Sequence, residues 1–269
     1  MKTLYVSDLD GTLLRSDITT SEYTNTTINR LVENGMLFSY ATARSHVTAS
    51  KVTKGLDAKF PLIVYNGTFI IDNATGDILI SNYFSDNGKA LLDDLIAHGI
   101  FPIVYAYIDG AEKFSYVENR LSRGVKDFVA TRQDDPRRNP VKTPDDLYRG
   151  KIFYITCIDE TEILTPFSQR YRSIYHTVFQ RDIYSGEQWL EFMPPDVNKS
   201  NAIRRLMAML GCDRLVVFGD GKNDIDMFML ADESYAVENA VEELKVIATG
   251  VIGRNDEDAV AKWLEDHHR

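Results

Sequence analysis

Cysteine is nearly absent from this chain, whose 269 residues include only Cys157 and Cys212. Neither cysteine belongs to a Cys-x-x-Cys pair or a Cys/His cluster. The sequence therefore predicts neither a disulfide framework nor a zinc site. Two reduced, buried thiols are the better interpretation.

Positive charge and long apolar runs are also scarce. The 30 Lys and Arg residues against 40 Asp and Glu give a formal net charge of −10, which argues against nucleic acid or an anionic membrane as partner. No segment is as long as a membrane span, and no basic region followed by an apolar stretch and cleavage site opens the sequence. We expect a cytoplasmic protein, monomeric or homodimeric, in which a small anionic substrate would need local help from a metal, Lys or Arg.

The first 82 residues alternate strand and helix signals. Short apolar strands are predicted at 3–6, 36–41 and 62–65, with helical stretches between them. Two further apolar runs, 69–71 and 78–80, flank a polar turn that is typical of a hairpin. This order indicates a βαβαβ arrangement followed by a hairpin.

The central part of the chain differs in composition and in its pattern of strand and helix signals. Between residues 83 and 190 the aromatic residues are dense, strands and helices alternate less regularly, and the charged, Pro-bearing stretch 134–140 is predicted to be a surface loop. Regular alternation resumes from residue 191. The sequence therefore predicts an α/β fold: a Rossmann-like, doubly wound parallel-sheet core from 1–82 and 191–269, with an inserted α+β domain at 83–190.

Two carboxylates follow the first predicted strand directly. Asp8 and Asp10 precede Gly11 and Thr12, so they lie at the carboxyl end of a strand, where ligands collect in open parallel sheets. A turn that uses Asp for capping and Gly for positive φ is the structural alternative. This segment alone does not distinguish a turn from an active site, and the three segments described next are needed to do so.

A hydroxyl and a guanidinium end the second predicted strand, at Thr42 and Arg44. If this strand lies beside the first, Thr42 reaches the same sheet edge as Asp8 and can donate to a phosphoryl oxygen. A helix N-cap is the alternative for Thr42. Arg44 could contact a substrate or pair with a carboxylate.

Lys199 enters a predicted helix after Pro194, Pro195 and Asn198. A lysine at a helix start is unfavourable with the helix dipole, so this position suggests an anionic partner. A solvated surface lysine is the alternative.

The stretch from Val216 to Met227 is the most specific of the four segments. Glycines on both sides of Asp220 allow a tight turn after a buried strand. Asp220 and Asp224 then supply hard oxygen ligands of the kind that Mg²⁺ prefers.

These segments resemble, in order, the four motifs of the haloacid dehalogenase superfamily: Asp8–Leu14, Thr42, Lys199 and Gly219–Asp224. The resemblance covers essentially the whole chain. The insertion is similar to the large cap, which selects substrate, of the Cof-type (class IIB) subfamily of Mg²⁺-dependent phosphatases of small phosphorylated metabolites. Asn66-Gly67, after the third strand, also matches that subfamily.

Two departures from the subfamily pattern bear on substrate fit more than on chemistry. Ala43 stands between Thr42 and Arg44 where the subfamily usually has Gly, and Ser200-Asn201 follow Lys199 where Gly often lies nearby. Neither departure removes a reacting group.

The resemblance implies hydrolysis through an aspartyl phosphate. Asp8 would be the nucleophile and Asp10 the general acid and base, with Thr42 and Lys199 completing the catalytic set. The implied cofactor is Mg²⁺, held by Asp8, the backbone carbonyl of Asp10 and Asp220, with Asp224 nearby or acting through water. The implied phosphate- and substrate-binding residues are Leu9, Thr42, Ala43, Arg44, Asn66, Lys199 and Asn223.

Other functions stay open at this point. A phosphomutase of the same fold would keep the aspartyl phosphate but would need a sugar diphosphate activator. A non-catalytic phospho-ligand binding protein would be expected to lack some of the four motif residues that this chain retains. A dehalogenase is disfavoured because Asp10 has no evident task in that chemistry.

Substrate choice is expected to lie in the inserted domain. Tyr105, Tyr107, Tyr116 and Tyr154 could stack on a sugar or ring, but aromatic residues at alternating positions of a strand are more often core. A sugar phosphate or a similar phosphomonoester is the expected substrate class.

Overall fold

The structure, a computed structural model, describes residues 1–182 and 186–268. The chain divides into two compact units, Met1–Ser81 with Asn198–Arg269, here the core unit, and Asn82–Val197, here the inserted unit. The helices and strands of the described residues are, in chain order, β1 Thr3–Ser7, α1 Glu22–Glu33, β2 Leu37–Tyr40, α2 His46–Val52, β3 Pro61–Val64, β4 Phe69–Asp72, β5 Ile78–Ser81, α3 Asn87–Ala97, β6 Ile103–Ile108, β7 Ala111–Val117, α4 Arg123–Ala130, β8 Arg138–Val141, β9 Lys151–Asp159, α5 Thr161–Tyr171, β10 His176–Arg181, β11 Gln188–Met193, α6 Lys199–Leu210, β12 Arg214–Gly219, α7 Ile225–Leu230, β13 Glu233–Val237, α8 Glu242–Ile247, β14 Gly250–Ile252 and α9 Ala259–His267.

The core unit contains a five-stranded sheet in the order β14-β13-β12-β1-β2. Every neighbouring pair in it is parallel, which confirms the predicted doubly wound α/β core. The strand order reverses beside β1, because the chain places β2 on one side of it and β12 on the other. The carboxyl ends of these three strands therefore meet at a topological switch point, where ligands bind in such sheets.

Local signals place the helices that flank this sheet. Ser21 caps α1, since its side chain accepts a hydrogen bond from the Thr24 N–H, and Ser45 caps α2 through the Thr48 N–H. Such caps satisfy N–H groups that the first helical turn leaves unpaired. They fix where the chain leaves each sheet edge.

A second, three-stranded sheet of the core unit has the order β3-β4-β5 and is antiparallel. It contains the hairpin predicted around residues 69–80. An isolated parallel bridge between Ala41 and Ile63 links it to the end of β2.

The inserted unit is a six-stranded sheet in the order β10-β11-β9-β6-β7-β8. Its neighbouring strands are antiparallel except for β7 and β8. Apolar residues of α3 and α5, including Leu92, Leu95 and Leu164, pack with strand residues such as Val104 and Ile155 into one core. Removing this apolar surface from water is the main stabilising contribution to the unit.

The structure corrects one prediction for this unit. The stretch 134–140, predicted to be a surface loop, runs into β8, and Arg137 within it is only 6% exposed. Arg137 pairs with Asp135 and with Glu112, and the contact with Glu112, 25 residues away, leaves no local sequence pattern. The unit ends at Val197, seven residues after the boundary expected at residue 190.

The tyrosines of the insertion are mostly internal. Tyr105, Tyr116 and Tyr154 are buried and Tyr107 is half-buried, which fits their interpretation as core. Both cysteines are free, and Cys157 is buried. Across residues 1–182 and 186–268, no helix is both long enough and apolar enough to span a bilayer.

Candidate active site

Three strand ends and one helix start bring the predicted motif residues to one edge of the core sheet. Asp8 follows β1 and its N–H donates to the Phe218 carbonyl of β12, the strand that leads to Asp220. Thr42 follows β2, the other neighbour of β1. Lys199 begins α6, whose N-cap is the Asn198 side chain.

The Lys199 ammonium group lies between two carboxylates. Its Nζ donates to Asp8 Oδ1 at 2.5 Å and to Asp224 Oδ1 at 2.7 Å, and Lys199 is only 2% exposed. Burial alone would lower the pKa of Lys199, but the Asp224 and Asp8 carboxylates together raise it above its usual value. The lysine is therefore a fixed positive charge directly beside the predicted nucleophile.

Three buried or half-buried acids form the centre of the site. Asp8, Asp220 and Asp224 each offer a carboxylate oxygen, and these oxygens lie within 4.8 Å of one another. Burial raises the pKa of Asp8, an effect that Lys199 opposes and that the neighbouring carboxylates strengthen. Burial and the charge of Asp224 raise the pKa of Asp220 to about 6. Such a concentration of negative charge calls for a cation beyond Lys199.

The free oxygens of this cluster suit a hard metal ion. Asp224 is already occupied, because Oδ1 accepts from Lys199 and Oδ2 accepts from the Asp220 and Gly221 N–H groups. Within residues 1–182 and 186–268, no hydrogen bond reaches Oδ2 of Asp8 or Oδ2 of Asp220. The donor set fits Mg²⁺, which takes one or two carboxylates and keeps other positions for water and phosphate. Asp224 instead anchors Lys199 and the turn after β12.

A tight turn separates Asp10 from Thr12. Gly11 has a φ of +78°, and a Cβ atom at this position would lie 2.4 Å from Asp220 Oδ2. Glycine is required both for the backbone conformation and for this close approach. The Thr12 hydroxyl donates to Asp220 Oδ1 at 3.0 Å, so the turn holds one oxygen of Asp220.

Arg44 contacts Asp10, which answers the alternative that the sequence left open. Its Nε donates to Asp10 Oδ2 at 2.8 Å and its Nη2 to Oδ1 at 2.6 Å. This two-point contact fixes the orientation of the carboxylate plane. The side chain of Asp10 is accordingly not a member of the acidic cluster formed by Asp8, Asp220 and Asp224.

Backbone contacts support Thr42 and the start of α6. The Asn66 N–H donates to the Thr42 carbonyl, and the Thr42 hydroxyl accepts from the Arg44 N–H at 3.1 Å. Gly67 has a φ of +100°, and a Cβ there would lie 2.4 Å from the Asn198 carbonyl oxygen. The Asn66-Gly67 turn thus packs against the cap of the helix that begins at Lys199.

The other predicted binding residues have varied surroundings. The Leu9 side chain is buried in the core, whereas Ala43 and Asn223 are exposed. Their contacts with phosphate stay predictions.

Three residues that support the site were not predicted from the sequence. The Thr12 hydroxyl holds Asp220, and Asn239 and Asn255 bind the backbone of the turn that contains Gly11. Asn239 donates to the Gly11 carbonyl, and Asn255 donates to the Leu14 carbonyl. The signal for Thr12 was its place in the first motif. The two asparagines lie outside the four motif segments, so no motif indicated them.

Comparison with known proteins shows the family to which the chain belongs. The family model for haloacid dehalogenase-like hydrolases matches residues 5–264. The 5-amino-6-(5-phospho-D-ribitylamino)uracil phosphatase YwtE of Bacillus subtilis is 29% identical, with 96% of this chain and 95% of the relative covered.

Solved structures show the same architecture. TM0651 from Thermotoga maritima has a TM-score of 0.80 and 25% identity, with 99% of this chain and 97% of that chain covered. The HAD subclass IIB sugar phosphatase BT4131 shares the fold, with a TM-score of 0.74, 18% identity, and 100% and 99% of the two chains covered. Since the family model spans nearly the whole sequence, this chain belongs to the haloacid dehalogenase-like hydrolases.

Proposed function

We propose that this phosphatase hydrolyses a small phosphomonoester in two steps, through a phosphoryl group carried on Asp8. The observation that carries the proposal is the contact of the Lys199 ammonium group with Asp8 Oδ1 at 2.5 Å, beside the open oxygens of Asp8 and Asp220. A carboxylate nucleophile, a fixed cation and a hard-metal donor set are the parts that phosphoryl transfer needs.

In the first step an oxygen of Asp8 attacks phosphorus and the bond to the leaving oxygen breaks. Lys199 and Thr42 lie at the same sheet edge, where their donors can bind phosphoryl oxygens, and Asn223 can join them. In the second step water attacks the phosphorus of the Asp8 acyl phosphate, which releases inorganic phosphate and restores the carboxylate. Splitting the transfer in this way replaces one difficult displacement by two easier ones.

Asp10 would carry the protons. It would give one to the leaving oxygen in the first step and take one from water in the second. Its carboxylate is held by Arg44 Nε and Nη2, so this ion pair must open or shift for Asp10 to reach the leaving oxygen. Arg44 is then a residue that orients Asp10, in addition to any contact with substrate.

Asp8 and Asp220 would hold Mg²⁺, with the Asp10 carbonyl as the third protein ligand that the resemblance implies. When bound, Mg²⁺ neutralises charge on the phosphoryl group and on the nucleophile. Thr12 supports this site, because its hydroxyl holds Asp220 Oδ1.

The substrate class proposed is a sugar phosphate or a related phosphomonoester. YwtE, the Bacillus subtilis relative, is a 5-amino-6-(5-phospho-D-ribitylamino)uracil phosphatase, so this compound and simpler polyol phosphates are the first candidates. We assign selection among leaving groups to the inserted unit.

The test is phosphate release from sugar, polyol, nucleotide, cofactor and aryl phosphates, with and without Mg²⁺. We expect Asp8→Asn to abolish Mg²⁺-dependent release, and acid-quenched wild type to carry a phosphoryl group on the peptide containing Asp8. Asp226→Asn is the matched control, since Asp226 is an exposed acid of α7 and should keep full activity. Release that survives Asp8→Asn would contradict the proposal, whereas transfer that requires a sugar diphosphate activator would identify a mutase.

A further inference from the structure

The turn after the predicted nucleophile is held by an asparagine from a distant part of the chain. Asn239, just after β13, donates from Nδ2 to the Gly11 carbonyl oxygen at 2.7 Å. Its Oδ1 accepts from the Asn255 N–H at 3.1 Å. One side-chain amide therefore connects the Asp10–Thr12 turn to the segment after β14.

Asn255 holds the other end of the same turn. It is only 6% exposed, and its Nδ2 donates to the Leu14 carbonyl oxygen at 2.9 Å. The turn itself is closed by a hydrogen bond from the Leu14 N–H to the Leu9 carbonyl oxygen at 2.8 Å. The two asparagines thus fix the backbone at Gly11 and at Leu14, on both sides of Thr12.

We propose that Asn239 is a positioning residue of the hydrolysis proposed above, acting through Gly11 to place Asp10 and the Thr12–Asp220 pair. The inference rests on that proposed function. The Gly11 peptide lies between the predicted acid and base and the hydroxyl that holds Asp220. A shift of this peptide would move both groups at once, and misplacement by about 1 Å can cost on the order of 100-fold in rate.

An amide suits this position better than any charged group. It donates to Gly11 and accepts from Asn255 with one rigid plane, and it adds no charge near the carboxylates of Asp8, Asp220 and Asp224. An aspartate here would keep the acceptor for Asn255 but would lose the donor to Gly11. It would also add a negative charge to a cluster that already has an excess.

Asn29 provides a matched control in the same unit. It lies in α1, its Nδ2 donates to the Gly55 carbonyl oxygen at 2.8 Å, and its Oδ1 accepts from the Asp57 and Ala58 N–H groups. Asn29 therefore makes the same kind of backbone bridge as Asn239, but to a loop that carries none of the proposed site residues. A merely structural loss should affect the two positions alike.

The experiment compares Asn239→Ala, Asn239→Asp and Asn29→Ala by steady-state kinetics, melting temperature and calorimetric titration with Mg²⁺ alone. We expect both Asn239 variants to lose about 10- to 100-fold in kcat, with KM within about threefold of wild type. Asn29→Ala should keep kcat within about twofold, even where its melting temperature falls as far as that of Asn239→Ala. The Kd for Mg²⁺ should rise at least about threefold in Asn239→Ala and stay unchanged in Asn29→Ala, because in Asn239→Ala the Thr12 hydroxyl would no longer hold Asp220 in place.

The two proposals can fail separately. If wild type hydrolyses no phosphomonoester, the proposed function falls, and the Mg²⁺ titration still decides whether Asn239 positions the acidic site. Equal Mg²⁺ affinity in wild type and Asn239→Ala would then overturn the inference. With active wild type, a kcat of Asn239→Ala within about twofold of wild type, or equal losses in Asn239→Ala and Asn29→Ala, would also overturn it. Asn239→Asp preserves size and one hydrogen bond, so it serves if Asn239→Ala does not fold.

Discussion

In each unit of this protein a buried cation lies between two carboxylates. The two arrangements differ in whether a carboxylate oxygen remains available to a ligand. In the core unit, Lys199 contacts Asp8 and Asp224, which come from two different loops. In the inserted unit, Arg137 contacts Glu112 and takes both oxygens of Asp135 through Nε and Nη2. Among the residues that the structure describes, no donor reaches Oδ2 of Asp8, whereas both oxygens of Asp135 accept from Arg137.

A buried cation is therefore not in itself evidence of a site. Arg137 consumes the hydrogen-bonding capacity of its partner and completes a structural pair. Beside Lys199 the acidic cluster still has an excess of negative charge, which a bound metal ion can offset. We therefore expect loss of the Arg137 charge to affect stability and loss of the Lys199 charge to affect phosphate release.

The largest effect is expected from Lys199→Met. Removing the fixed charge beside Asp8 should lower kcat/KM for phosphate release by about 10³-fold or more, since it removes preorganised electrostatic stabilisation in a buried site. Lys222→Met is the control, because Lys222 is exposed and pairs with Glu243 on the surface. A loss below tenfold in the kinetics would mean that Lys199 is structural, as Arg137 is.

Arg137→Met should lower the free energy of unfolding by about 3–5 kcal/mol, because it removes the buried guanidinium group that compensates the charges of two largely enclosed carboxylates, Asp135 and Glu112. Urea unfolding followed by circular dichroism measures this change. In Arg123→Met the exposed Arg123 loses only a 3.7 Å contact to Glu187, and the expected change is below about 0.5 kcal/mol. Equal changes in the two variants would contradict the assigned difference between buried and surface pairs.

A smaller, pH-dependent effect is expected from Glu191→Gln. Burial raises the pKa of Glu191 to about 7 from its ordinary value of 4.5, although the Tyr154 hydroxyl donates to it. The folded state therefore holds a proton that the unfolded state has released between those two pH values, so this group lowers stability as pH rises through the window. Glutamine cannot ionise, so Glu191→Gln removes this loss of stability at high pH.

The measurement is the free energy of unfolding of wild type and Glu191→Gln at pH 5 and pH 8. Between pH 5 and pH 8, we expect the free energy of unfolding of the variant to increase relative to that of wild type by up to roughly 3 kcal/mol, at 1.36 kcal/mol per pKa unit. The exposed Glu162→Gln should follow wild type throughout. Parallel curves for wild type and Glu191→Gln would show that the Glu191 carboxyl is not held neutral by the fold.

Sequence alone predicted the parallel core and four residues at its edge, because strand ends in such sheets converge. Asp8, Thr42 and Asp220 each follow a short apolar strand, and those strands are neighbours in the sheet. The Asn198 cap and the start of α6 at Lys199 were likewise local signals. Local patterns of this kind carry enough information to place a loop at a sheet edge.

What the sequence could not predict depends on contacts between distant residues. Nothing near Asn239 indicates that its amide meets Gly11, 228 positions away. The burial of Arg137 in a charged, Pro-bearing stretch depends on Glu112, which belongs to another strand. The pairing of Arg44 with Asp10 was one of two alternatives, and only the fold decides between them.

The position of β1 between β12 and β2 also affects how the chain must fold. Its neighbour β12 pairs Thr3 with Arg214, so the strand that carries Asp8 is unpaired on one side until most of the polypeptide has been made. Closing so long a loop costs entropy before any contact repays it, and topologies rich in distant contacts fold slowly. During synthesis on the ribosome, we therefore expect the strand that precedes the proposed nucleophile, Asp8, to complete its pairing late. The proposed active site would then form only after the residues that follow the insertion have emerged.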